Sequence, residues 1–318
     1  MANELERSKK IVIGHEYEDE INEDNLKLLK LYKRDMEIRG LSPTTIYGYE
    51  RDLKQWMSYL VREQFNPSIL DINEEDIEEF IYYCKEEGNN ASRIQRRMSP
   101  ISELYKFLRK KKKIKENPME FISRPKKGLP VVIQTYLTLE QVKEIREHLK
   151  EENNLQLTTY FEISMSTMAR KTAISNITWE QIDFDNMLIK DVLEKEQRLV
   201  TLYFNEITRD LLLALKKKRE KENIKSKYVF LVKYNGEWSK ADGDNLTKWA
   251  KKIGKYIDIP TLHCHDFRHS SASLKKNAGM PLEEVSSLLN HLSTDVTKKH
   301  YIKEDESKKG EMARKYSI

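Results

Sequence analysis

Cysteine is nearly missing: Cys84 and Cys264 are the only two in 318 residues and stand far apart in the chain. That excludes a disulfide framework and suits a reducing compartment with two packed thiols. Long apolar runs are missing as well. None approaches the roughly 20 residues needed to span a bilayer. The opening stretch MANELERSKK offers no apolar segment for a signal peptide. Internal repeats and low-complexity blocks are also absent. Secreted, membrane and disulfide-stapled classes are therefore excluded, the expected location is the cytoplasm, and no membrane partner is expected. What the chain has is charge, with 34% Asp, Glu, Lys and Arg and a mean hydropathy of −0.74. Its 38% hydrophobic residues and 16 tyrosines still suffice for cores, so wholesale disorder is excluded. The length allows two domains.

The net charge is +5, but it is unevenly spread. Residues 1–24 hold eight acids and three bases, which leaves +10 on the remainder. Arg109 to Lys113 is an unbroken basic run, followed by Lys115, Arg124, Lys126 and Lys127. Such a strip reads either as a solvated helix end and linker or as a surface that neutralises phosphates. Composition leaves both open.

Residues 1–21 show no sustained period and read as an acidic tail. From Asn22 the pattern turns helical, with Leu26, Leu29, Tyr32 and Met36 at steps of three and four, and Gly40 as the stop. Ser42-Pro43 restarts a helix striped by Ile46, Tyr49, Leu53, Trp56 and Leu60. Asn73 announces a third, with Ile77, Phe80, Ile81 and Cys84 on one face, and Asn89-Asn90 a fourth through Ile94, Ile101, Leu104, Tyr105 and Leu108. The breakers and charges from Glu116 to Pro130 predict a linker. The expected organisation is a tail (1–21), an all-helical domain (22–123), a basic linker (124–135), a second domain (136–302) and a C-terminal tail (303–318). Within the second domain the pattern predicts helices after Thr138 and over 156–168. Strands are expected at Thr178–Phe184, Met187–Lys190 and Arg198–Leu202, then helices at 205–221, 244–256 and in pieces to Tyr301. The fold class is mainly α with a small β-sheet, α+β.

The densest chemistry lies in His265-Asp266-Phe267-Arg268-His269. On a helix His265 and His269 share a face, as in a zinc pair, and His263 and Cys264 are close by. Asp stands where a metalloprotease has Glu, and Arg268 would set a fixed positive charge beside the ion. No metal and no cofactor are therefore expected. A packed helix start is a second reading. The third aims an Arg and a His from one helical turn at a phosphodiester.

Further residues at fixed spacing favour the third reading. Ser166-Thr167-Met168-Ala169-Arg170 is followed by Trp179 and then Ile182-Asp183. Leu289-Asn290-His291 follows the histidine–arginine cluster, and Tyr301 stands ten residues beyond His291. In this order and spacing the chain resembles the tyrosine recombinases, the family of phage integrases and Xer recombinases. Gly40 to Tyr49 resembles a DNA-facing segment of that family's core-binding domain, and Gln95-Arg96-Arg97-Met98-Ser99 its R-R-L-S helix. Pro100 departs from the pattern and should bend or restart that helix.

The resemblance implies a SAM-like helical domain and a catalytic domain forming a C-shaped clamp on double-stranded DNA, with self-association on the DNA. Thr44, Thr45, Arg93, Gln95, Arg96, Arg97, Lys126 and Lys127 would face the DNA. Tyr301 would attack a phosphodiester and form a 3′-phosphotyrosyl link. Arg170 and Arg268 would clamp the phosphate, and His265 and His291 would donate hydrogen bonds or move the tyrosine proton.

Three departures meet at this site. The general-acid lysine of the family falls on Leu193, and Lys195 enters as a candidate only through a shifted hairpin. The box glycine is Met168, and the acid three residues after Arg170 is Ala173. The sequence thus points to a sequence-specific DNA-binding protein of this fold, from a prophage or other mobile element, with strand exchange weakened or lost and a repressor-like role. The alternative is an active integrase.

Overall fold

The computed structural model describes residues 16–126, 135–194 and 198–290, together with Ile13 and Arg314. The chain divides into two compact units, Met1–Ile133 and Gln134–Ile318.

The first unit is helical throughout its described residues. Its helices are α1 (Glu23–Ile38), α2 (Pro43–Glu63), α3 (Glu74–Glu86) and α4 (Ala91–Lys110). Each begins where the sequence supplies an oxygen for orphan N–H groups: Asn22, Ser42, Asn73 and Asn90 all cap with their side chains. At Asn73 the bond is reciprocal, because Asp76 accepts from the Asn73 N–H at 2.9 Å. Gly40 takes the positive φ of +72° that ends α1. The predicted stripes meet in one core, where the Trp56 and Tyr105 rings pack edge to face at 5.9 Å. The 1–21 stretch, expected as a tail, contributes Ile13 and Ile21 to this core.

Pro100 does not restart α4, which runs unbroken from Ala91 to Lys110. The ring is buried, and side-chain donors serve the turn before it. Ser99 Oγ donates to the Gln95 carbonyl at 2.9 Å, and Arg124 Nη1 reaches the same oxygen at 3.3 Å. The expected linker is therefore docked on α4 at its start, since Gln95 Nε2 also holds the Pro125 carbonyl at 2.7 Å.

The second unit is α+β. It opens with α5 (Leu139–Glu152), α6 (Leu155–Thr167) and the short α7 (Lys171–Asn176). An antiparallel sheet of order β1 (Ile182–Asp183), β2 (Leu188–Leu193), β3 (Leu199–Tyr203) follows. Trp179–Gln181, expected as strand, forms a single 3-10 turn, because the Thr178 N–H is held by the Gln181 side chain at 2.9 Å. After α8 (Glu206–Lys221) comes a hairpin that the sequence reading lacks, β4 (Leu231–Tyr234) and β5 (Glu237–Lys240), closed by Asn235-Gly236 with both φ positive. The unit closes with α9 (Gly243–Gly254), α10 (Cys264–Asn277) and α11 (Leu282–Leu288). A large core joins the helices to the sheet, and a smaller one of Met168, Ala272, Val285 and Leu289 fastens α11 to α10.

Candidate active site

The turn between α6 and α7 sets one wall of the site. Met168 ends α6 in the left-handed region with φ 53°, the conformation a glycine adopts freely. A side chain here costs roughly 1–2 kcal/mol. Burial of the methionine in the small core, worth about 1.5–3 kcal/mol, offsets that cost. Two residues on, Arg170 is the N-cap residue of α7, its side chain 26% exposed.

α10 supplies the opposite wall. Asp266 is a helix cap here, its carboxylate accepting from the His263 N–H at 2.7 Å, and burial raises its pKa. That use explains the Asp in the His-Asp-x-Arg-His pattern without a metal. Among the described residues no three His, Cys, Asp or Glu groups could hold a metal ion. His265, Arg268 and His269 then share one face, with the two imidazole centroids 6.1 Å apart.

Arg268 is buried and ties the walls together. Nη1 donates to the Met168 carbonyl, and Nη2 to the Leu289 carbonyl at 2.7 Å. The His265 pKa lies below 6.5, first through burial and then through the positive charges of Arg268, Arg170, Lys171 and His263. The two arginines and His265, nearly a hundred positions apart in the chain, thus occupy one electropositive site.

The β2–β3 hairpin forms a third side. Its register shifts between Ile189 and Val192, where Asp191 takes φ 54°. From there Val192 and Glu194 face inward and Leu193 outward, 47% exposed. Glu194 is buried and bonded through Oε2 to Arg170 Nη1. Leu193, expected at the general-acid position, therefore lies on the face away from Arg170. Lys190 pairs with Asp183 at 3.1 Å. Lys195, His291, Tyr301 and, in the first unit, Lys127 lie outside the described residues.

Candidates in the first unit fall into two sets. Thr44, Thr45, Arg96 and Lys126 are exposed. The Arg96 side chain lies against Gly48, where a Cβ would come within 3.3 Å of Nη2. Arg93 and Arg96 both meet the buried Asp52 carboxylate, at 3.1 and 3.4 Å. Gln95 is half-buried and engaged with Pro125. Arg97 is turned inward, with 1% exposure, Nε donating to Asn89 at 2.9 Å and Nη1 to Gln55. Burial brings its pKa down to about 10. The expectation that Arg97 faces DNA is corrected: its guanidinium belongs to the core of the unit.

Sequence reasoning passed over Asp52 and Glu194. Asp52 sits four before Trp56 and three after Tyr49, an acid on an apolar face. Glu194 continues the inward alternation of Val192. The Asp52 signal was present in the periodicity, whereas the direction of Glu194 depends on the shift at Asp191.

Residues 135–308 match the phage integrase family, and residues 29–112 match the N-terminal SAM-like domain of phage integrases. A tyrosine recombinase of Thermosipho africanus is 26% identical over 268 residues, covering 82% of this chain and 89% of its own. The tyrosine recombinase XerC of Herpetosiphon aurantiacus is 28% identical over 280 residues, with 81% and 84% covered. The Tn1549 transposon integrase, solved in complex with circular intermediate DNA, has a TM-score of 0.68 at 17% identity. That match covers 90% of this chain and 98% of that one. A lambda integrase dimer bound to a COC′ core site has a TM-score of 0.66 at 17% identity, covering 87% of this chain and 76% of that one. The mainly helical fold with small antiparallel sheets is shared with these structures.

Proposed function

The chain belongs to the phage integrase family, and from that premise we propose that it is a site-specific tyrosine recombinase that cuts and rejoins duplex DNA. The observation that carries the proposal is the convergence of Arg170, Arg268 and His265 at the α6–α7 turn and α10. A phosphodiester placed there meets two guanidinium groups and a neutral imidazole. The arginines offset charge growing on the non-bridging oxygens. Arg268 exchanges a carbonyl for a phosphate oxygen, and an ion–ion hydrogen bond outcompetes an ion–dipole one. The Tyr301 oxygen attacks phosphorus as the bond to the 5′-oxygen breaks, and the 3′-phosphotyrosyl link stores the bond for rejoining. His265 and His291 act as hydrogen-bond donors or carry the tyrosine proton. Lys195, which follows β2 in the sequence, is the lysine proposed to protonate the leaving oxygen.

The regulator reading rests on three departures, and each loses its force. Met168 reaches the backbone geometry of the glycine it replaces, Leu193 faces away from Arg170, and Glu194 gives Arg170 a carboxylate that Ala173 cannot. The first unit, proposed over 22–123, contributes Thr44, Thr45, Arg93 and Arg96 to the DNA, joined by Lys126 and Lys127 from the 124–135 linker. The catalytic domain is proposed over 136–302. Copies of the chain assemble on the DNA in the cytoplasm.

Selection from a pool of random duplexes identifies the binding site, and a nicked suicide version of it tests the chemistry. The expected result is a denaturation-resistant adduct that is lost in Tyr301→Phe, while affinity stays within about threefold because one hydroxyl is removed. A protein that binds the selected duplex tightly and forms no adduct is a regulator instead.

A further inference from the structure

Ala173 leaves no charge beside Arg170. It is fully buried in α7, packed in the large core of the second unit. The carboxylate beside Arg170 comes instead from Glu194, 24 positions along the chain and on the other side of the β-sheet register shift. We propose that Glu194 is a positioning residue that orients Arg170 for the scissile phosphate, which rests on the recombinase reading and deepens it.

The geometry supports this in three ways. Glu194 holds Arg170 by Nη1 alone, and among the described residues no other group accepts from this guanidinium. Among the described residues the Nε–Nη2 edge is therefore open to the two-pronged contact that a phosphate prefers. Glu194 is also fixed at its backbone, its N–H donating to the Arg198 carbonyl at 2.9 Å, where the hairpin closes. The register shift at Asp191 is what turns this side chain inward.

The third argument concerns cost. The Glu194 side chain is 3% exposed, yet Oε1 has no hydrogen-bond partner among the described residues. A buried carboxylate with one oxygen unserved contributes little net stability, because desolvation cancels much of the attraction to its partner. Stability alone therefore does not account for an acid at this place. What it does is hold a flexible guanidinium in one rotamer before substrate arrives, and misplacement by about 1 Å at a reacting centre costs on the order of 100-fold in rate. The guanidinium then lies between two anions, Glu194 at Nη1 and the phosphate at the opposite edge.

The test uses full-length Glu194→Gln, which keeps the shape of the side chain and removes its charge. Single-turnover adduct formation on the suicide duplex should slow about 10- to 100-fold at saturating DNA, with affinity within about threefold. Guanidinium NMR gives a second reading, with Arg170→Lys identifying the signals. In the wild-type chain the Arg170 Nη hydrogens should be resolved by slow rotation, and in Glu194→Gln they should merge. A variant that cleaves at the wild-type rate overturns the proposal. A faster variant overturns it too, since Glu194 would then compete with the phosphate. If the wild-type chain binds the duplex without adduct, the recombinase reading fails separately. The Arg170 signals then decide, titrated with inorganic phosphate: identical spectra in the two proteins overturn the positioning role, and loss of restraint in the variant upholds it.

Discussion

At the scale of single residues, charge is set against charge around His265. Its imidazole is disfavoured as a cation first by burial and then by Arg268, Arg170, Lys171 and His263, so its folded pKa lies below 6.5. The imidazole is therefore neutral at pH 7 in the DNA-free protein and donates one hydrogen bond. Its contribution to stability is present above 6.5 and is lost as the pH falls through the folded value, because the folded state must then accept an unwelcome proton. A histidine NMR titration should place the midpoint below 6.5. Arg170→Ala should raise it only part of the way back, since burial and three other cations remain. Adding DNA should raise it as well, because a phosphodiester anion favours the imidazolium. A midpoint at or above 6.5 in the free protein, or one indifferent to Arg170→Ala, would contradict the electropositive site.

At the scale of elements, α4 shows how one helix divides its work. Arg96 and Arg97 are neighbours in sequence and opposites in role. Arg97 stands three after Ile94 and four before Ile101, both core residues, so the 3.6-residue period places it inside. Arg97→Ala leaves the Asn89 and Gln55 acceptors without their donor and should cost roughly 2–4 kcal/mol in urea unfolding. Arg96→Ala breaks only a half-exposed ion pair with Asp52, should cost under about 1 kcal/mol, and should instead weaken DNA binding. The reverse pattern would mean that the faces of α4 are misassigned.

The same helix shows what was legible. The caps Asn22, Ser42, Asn73 and Asn90 and the apolar stripes located all four helices of the first unit, since capping and burial act over a few residues. The Gln-Arg-Arg string drew both arginines into one role, because a linear motif carries no helical phase. Pro100 read as a break, but α4 runs through it, with Ser99 Oγ from within the helix and Arg124 from outside it both donating to the Gln95 carbonyl. The β4–β5 hairpin was missed although Asn235-Gly236 is a strong turn signal, because two four-residue strands show too little alternation. In the candidate site the spacing anticipated that Arg170, His265 and Arg268 would meet. Glu194 was not anticipated, since its partner lies 24 positions away and its direction depends on the shift at Asp191.

At the scale of the whole molecule, the cores of the two units share no residue, and the chain divides between Ile133 and Gln134. Each unit has its own buried centre and should therefore fold alone. The candidate phosphate-binding residues are split between them, Arg96 and its neighbours in one, Arg170 and Arg268 in the other. Two weak DNA-binding modules joined in one chain gain from a high effective concentration, typically by 10²–10⁴ in affinity over either alone. Fragments 1–133 and 134–318, each checked for cooperative melting, should therefore bind the selected duplex about 100-fold more weakly when mixed than when joined. The intact chain should also show the steeper loss of affinity with salt, because it releases the counterions displaced by both basic surfaces. Fluorescence anisotropy on one labelled duplex measures both quantities. If the mixture, or one fragment alone, binds as tightly as the intact chain with the same salt slope, a single unit carries the recognition and the other serves the chemistry only.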